Sequence, residues 1–154
     1  MATNWIVIIA DDLNQYQAAK LVAAARTKAL AASQPDPFLA VMPDVINRMR
    51  DDIRGCKSNQ VSATPLTVPP GLRGEAILLT IEAMQPRLPG ITIDEDLRTL
   101  ITDAKARMKR ISKCEIPIET PDDPQPAGEV QSSSAIEQVS GGERVATREK
   151  MQGL

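Results

Sequence analysis

Between Asp36 and Gly55 the chain reads DPFLAVMPDVINRMRDDIRG, a stretch that carries its own start, period and stop. Phe38, Val41, Met42, Val45, Met49 and Ile53 recur at intervals of three and four, the spacing that lines one face of an α-helix. Asp44, Asn47, Arg48, Asp51, Asp52 and Arg54 fall mostly on the other face. Asp36 suits the N-cap, where its carboxylate accepts free N–H groups of the first turn, and Pro37 suits the first helical position, where its missing N–H would have been unpaired anyway. Gly55 is the expected stop. Pro43 lies inside the stretch, where it removes one backbone hydrogen bond and crowds the carbonyl four residues back, so a kink or a break into two helices is expected there. The rest of the chain is read as packing around this helix.

That packing has to be aliphatic. The 154 residues suffice for one domain with a real core, but aromatic residues make up only 2%, namely Trp5, Tyr16 and Phe38. The net charge of −2 hides an asymmetry: residues 1–113 hold 15 Lys and Arg against 12 Asp and Glu, whereas residues 114–154 hold 3 against 8. Neither part is charged enough to argue for nucleic-acid binding by charge alone. The opening MATNWIVIIADDL has no basic run before its apolar residues, and those are too few to cross a bilayer. A soluble chain, made in a cytoplasm, is expected. Cys56 and Cys114 are not in CxxC spacing, and the chain has no histidine for an imidazole zinc site. They are expected to be reduced thiols, a bridge between them being the alternative.

Trp5 to Ile9 is a β-branched run that reads as extended, leading through Ala10-Asp11-Asp12-Leu13 into a short helical turn. From Gln15 to Ala32 an alanine-rich helix is expected, with Leu21, Val22, Ala25, Ala29 and Ala32 or Leu30 on one face and Ser33-Gln34-Pro35 as its end. After Gly55, CKSNQVSATPLTVPPG has no helical period and three prolines, so it reads as a long loop with a brief extended piece at Leu66 to Val68. Pro70 opens another helix whose face carries Leu72, Ala76, Leu79 and Ala83, with Ile77, Thr80 and Met84 beside it and Gln85-Pro86 as its end. The last helix, Asp94 to Ser112, follows a Thr92-x-x-Glu95 capping box and has Leu97, Leu100, Ile101, Ala104, Met108 and Ile111 as its stripe. Lys105, Arg107, Lys109, Arg110 and Lys113 load its C-terminal half, where cations suit the helix dipole. Ile116-Pro117-Ile118 is expected to leave as an extended segment beside Trp5 to Ile9. From Thr120 the composition turns to Pro, Asp, Gly, Ser and Gln, a tail without a core of its own in which only Glu143 to Met151 has helical character. The expected fold is mainly α: a small bundle of about four helices over residues 1–119, with short extended segments, and an irregular acidic tail, 120–154, ordered on a partner subunit.

No reaction centre is legible. The carboxylate pairs at Asp11-Asp12 and Asp94-Glu95-Asp96 stand where helix caps belong, and Asp51-Asp52 are neighbours on a helix that do not converge on one point. Hydroxyl and thiol nucleophiles lack a histidine base, and Gly71-Leu72-Arg73-Gly74 does not follow a phosphate-loop pattern. No enzyme, cofactor or metal site is expected. Arg48, Arg50, Arg54 and Lys57, and the basic set of the last helix, read as solvated or subunit-facing surface. Sequence-blind contact with DNA phosphates through Lys105, Arg107, Lys109 and Arg110 is the alternative.

Four stretches in order, Ala10-Asp11-Asp12-Leu13, Ile53-Arg54-Gly55, Val68-Pro69-Pro70-Gly71-Leu72, and Asp96-Leu97-Arg98 with Ile116 to Pro121 after it, resemble the head-to-tail connector, or adaptor, proteins of tailed bacteriophages. The likeness covers residues 5–121. It implies a helical subunit that forms a homo-oligomeric, dodecameric ring in the neck of the virion, between the portal protein and a tail-side neck or stopper protein, after assembly in the host cytoplasm. DNA would pass through the lumen without sequence-specific contact, and no membrane is involved. Subunit or portal contacts are then expected at Arg48, Asp51, Asp52, Arg54, Pro124, Ile136, Val139, Val145 and Met151. A small helical DNA-binding or packaging accessory protein is the alternative. Pro43 and the long acidic tail depart from the family pattern.

Overall fold

Residues 2–15, 23–24, 26–29, 32–33, 35–87 and 93–126 are described by a computed structural model. Three long helices pack on one another: α1 (Pro37–Gly55), α2 (Arg73–Met84) and α3 (Glu95–Ser112). Residues 23–24 and 26–29 are the described part of the expected alanine-rich helix, and the fold is mainly helical with one small two-stranded sheet.

Helix α1 starts as its residues dictate. Asp36 Oδ1 accepts the Phe38 N–H at 2.9 Å, and Oδ2 accepts Arg26 Nε at 2.8 Å, which ties the preceding helical segment to the cap. Phe38, Val41, Met42, Val45, Ile46, Met49 and Ile53 are buried as the period requires. The break expected at Pro43 does not occur. The carbonyl deprived of its donor belongs to Leu39, a residue 63% exposed, so water can satisfy it and the helix runs on. Gly55 is the last helical residue, but its place rests on proximity rather than on a left-handed turn. A Cβ there would stand 3.2 Å from Ser112 Cβ, so the C-terminal ends of α1 and α3 meet where one has no side chain.

The α2 helix follows a 3-10 turn at Pro70–Leu72 and is buried around much of its girth, with Ala76, Ile77, Leu78, Thr80, Ile81 and Met84 all inside. The Thr80 hydroxyl satisfies itself on Ala76 O at 2.7 Å. In α3 the cap is Asp94, whose Oδ1 accepts the Leu97 N–H at 2.8 Å, in place of the expected Thr92 box; Thr92 lies outside the described residues. Leu100, expected in the stripe, is 45% exposed, while Leu97, Ile101, Ala104, Met108 and Ile111 are buried. The helix ends in a Schellman turn. Cys114 N–H bonds Ile111 O, Glu115 N–H bonds Arg110 O, and Cys114 takes φ 63° at the position that usually falls to glycine.

Cys56 and Cys114 are joined by a disulfide, with Cα atoms 5.1 Å apart, so the expectation of two reduced thiols is corrected. The reason is tertiary: helices 58 residues apart at these positions end side by side. A second correction concerns the N-terminal segment. Strand β1 (Ile6–Val7) pairs antiparallel with β2 (Thr67–Val68), Ile6 opposite Val68, and not with Ile116 to Ile118, where Pro117 has no N–H to give. The exit segment meets the N-terminus one step earlier, through Thr3 N–H to Thr120 O at 2.8 Å, Asp122 N–H to Thr3 O at 3.2 Å and Trp5 Nε1 to Glu119 O at 3.3 Å. It then bonds the long loop, Ala63 N–H to Asp123 O and Gln125 N–H to Val61 O, so the chain stays attached to the body through Gln125. Asp12 caps in reverse: its Oδ2 reaches back to the Ile9 N–H at 2.9 Å across the 3-10 turn Ala10–Gln15, and its other oxygen pairs with Arg73.

Candidate functional site

Two features of α1 organise what the surface can offer. On one side Arg50, expected in a solvent-facing basic set, is 4% exposed. Its position one residue beyond Met49 puts it at the edge of the apolar stripe, and the guanidinium reaches under the long loop instead of out to water. Nη2 donates to Ser62 O at 2.6 Å, and Nη1 to Thr67 O at 3.0 Å, Thr64 O at 3.1 Å and Thr67 Oγ1 at 3.2 Å. The cation lies over the Trp5 ring, 5.8 Å from its centroid. Its acceptors are neutral carbonyls and a hydroxyl, so desolvation, and then the neighbouring Arg54 charge, lower its pKa. One buried side chain thus shapes the loop from Ser62 to Thr67 and delivers β2 to β1.

On the other side an open groove of about 380 Å³ runs between the three helices. Its floor is Val45, Met49, Leu79, Ala83 and Met108, and its rim carries Arg48, Asp52, Glu82, Lys105 and Lys109. Leu79 and Ala83, expected in the core face of α2, are only half-buried because they line this groove. Lys105 Nζ sits 2.6 Å from Glu82 Oε1 across it. Partial burial, and then the adjacent Asp51, raise the pKa of Asp52 from the ordinary 3.8.

The expected contact residues therefore divide. Arg48 and Asp52 face the groove, whereas Arg54 pairs with Asp51 at 2.8 Å and with Gln125 Oε1 at 3.1 Å beside the exit segment. Pro124 forms a bridge with Ser62 in that same stitched region. Ile136, Val139, Val145 and Met151 lie outside the described residues. Of the cations weighed for DNA, Arg107 pairs with Glu75, Arg110 Nε with Glu115 at 3.3 Å and Lys105 with Glu82, while Lys109 stands on the groove rim.

The reading of single residues missed the stitched end itself. Asp123 accepts Thr64 Oγ1 at 2.7 Å and Thr64 N–H at 3.1 Å, and hydrogen bonds from Ser62 and Thr64 hold its carboxyl below the ordinary value. Glu119 lies over Gly71 and accepts its N–H at 3.2 Å. The signal available beforehand was compositional: acids and hydroxyls in two stretches that lack any periodicity of their own. Among the described residues no three His, Cys, Asp or Glu side chains gather as a metal site, and no helix is long and apolar enough to cross a membrane. No known family, characterised relative or solved structure matches the chain.

Proposed function

We propose that this protein is a structural adaptor of a tailed-phage neck, a subunit of a homo-oligomeric ring that joins the portal to the tail-side proteins and surrounds the DNA channel. The observation that carries this reading is the state of its surface charge. Three of the four cations that a phosphate-gripping face would use, Lys105, Arg107 and Arg110, are each engaged by an acid of the same chain. A surface so neutralised favours protein neighbours, whose own mixed charges can interdigitate with it, over the dense phosphates of DNA. The order of the four stretches that resemble connector proteins supports the same reading. The body ends in a hydrogen-bonded exit at Gln125, and we infer that the stretch 127–154 that follows in sequence is the part that meets the portal.

The test is electron microscopy of the purified chain mixed with the portal protein of its own genome. Added ring density at the portal's tail-side face is the expected result. Its absence across a range of ratios would overturn the proposal, and DNA binding that falls steeply with salt and weakens in Lys105→Ala/Lys109→Ala would favour the packaging accessory instead. Truncation after Pro126 retains every exit-segment hydrogen bond described above, so the body should stay folded while portal attachment weakens.

A further inference from the structure

We propose that the Cys56–Cys114 bridge is a thiol-exchange site: a low-molecular-weight thiolate attacks Cys114, Cys56 leaves, and the state of the bridge sets how firmly the exit segment is held. Access selects the sulfur. Cys56 is 1% exposed, packed at the end of α1, whereas Cys114 is exposed on the turn after α3. Beside the bridge lies a hollow of about 270 Å³ whose wall includes Ser58, Asn59, Gln60 and Thr120, amide and hydroxyl groups suited to hydrogen-bond a small peptide-like thiol. Ser58 Oγ stands 3.0 Å from Cys56 Sγ, placed to donate a hydrogen bond to the thiolate that departs.

The chemistry is ordinary exchange. The incoming thiolate forms a bond to Cys114 Sγ as the Cys114–Cys56 bond breaks, and the electron pair leaves on Cys56 Sγ, which takes a proton from solvent. A second thiol then attacks the mixed disulfide and releases Cys114. Two external thiols are oxidised to one disulfide while the protein's disulfide is reduced to two thiols.

The consequence follows from where Cys114 sits. It holds a left-handed φ of 63°, a conformation that costs an L-residue free energy, and the exit segment begins with the next residue. The bridge pins that turn to the end of α1. Once it is cut, the stretch from Glu115 to Ile118 has one described backbone hydrogen bond of its own, Glu115 N–H to Arg110 O, before the contacts with the N-terminus begin at Glu119. Exchange therefore loosens the turn after α3 and the start of the exit segment, which is then held there by the packing of Ile116 and Ile118 against the core. This inference is independent of the adaptor reading.

The experiment is incubation of the full oxidised chain with reduced glutathione, acid quenching and peptide mapping by mass spectrometry. The expected adduct is on Cys114, and predominant capture on Cys56 would overturn the proposal. Cys56→Ser should take up one glutathione at Cys114 from oxidised glutathione, and Ser58→Ala should slow reduction of the native bridge. Hydrogen exchange of the Cys114 and Glu115 amides, bonded to Ile111 O and Arg110 O in the turn that the bridge pins, should quicken about tenfold or more on reduction while the centres of α1 and α2 stay protected. Equal protection in both states would refute the latch, and exposure of the whole body would show a purely structural cross-link.

Discussion

Replacing Arg50 with methionine should cost about 3 kcal/mol of folding stability, far more than any other cation of α1. The side chain keeps an unbranched apolar stem out to the ε position and loses only the end of the guanidinium beyond it, so the loss is chiefly that of the donors. Four hydrogen bonds disappear, but they are not equal. Thr64 O retains the Thr67 hydroxyl at 2.8 Å, whereas Ser62 O loses the 2.6 Å bond from Nη2 and has no other described donor. A buried carbonyl left in that condition costs roughly 1–3 kcal/mol. Loss of the charge-assisted bonds to Thr67 and of the cation over Trp5 adds about 1–2 kcal/mol, partly offset because methionine needs no desolvation of a charge. For a body of this size that corresponds to a fall in Tm of about 10 °C. Lysine should do no better than methionine, because one ammonium cannot fork between Ser62 and Thr67 while its charge stays buried. The assay is urea and thermal unfolding followed by far-UV circular dichroism, with Arg48→Met on the groove rim as a control expected to stay within about 0.5 kcal/mol of wild type. If Arg50→Met also stayed within that margin, the buried guanidinium would not be what holds the loop.

Asp52 has a folded pKa above its unfolded value, so its contribution to stability is present below the unfolded pKa and lost as pH rises through the folded one; at neutral pH it is a standing cost. Asp52→Asn should therefore stabilise at pH 7, and the gain should vanish in unfolding curves taken below about pH 4. Asp123 runs the other way: its depressed pKa gives stability above the unfolded value that is lost as pH falls through the folded one, so Asp123→Ala should destabilise at pH 7 and differ little from wild type in acid. Gly55→Val should destabilise by about 1–3 kcal/mol by forcing α1 from Ser112, a result that unchanged urea midpoints would contradict. Asp94→Ala removes the cap on Leu97 N–H and should cost about 1 kcal/mol, with faster hydrogen exchange confined to the first turn of α3.

What could be read in advance was local. Asp36 and Pro37 open α1 as their chemistry requires, the apolar intervals mark its buried face, and the extended piece near Leu66 to Val68 exists as β2. The buried face of α2 was harder to read because that helix is covered on several sides, so periodicity alone could not say that Leu78 and Ile81 would be inside and Leu79 at a groove. The candidate contact set was legible as a polar helix face but not as two separate places, since residues close in sequence on α1 point to the groove or to the exit segment by fractions of a turn.

Sequence by itself determined the helices, the Asp36 cap of α1 and the aliphatic character of the core, because those depend on intervals of three or four residues and on the chemistry of single side chains. Only the tertiary structure decided that Arg50 turns inward, that Pro43 is tolerated, that Cys56 meets Cys114, and that the strand partner of Ile6–Val7 is Thr67–Val68. Each of these depends on what lies opposite: a carbonyl able to accept, water able to reach Leu39, a second helix ending at the same place. Such partners stand tens of residues away along the chain, and no local period records them.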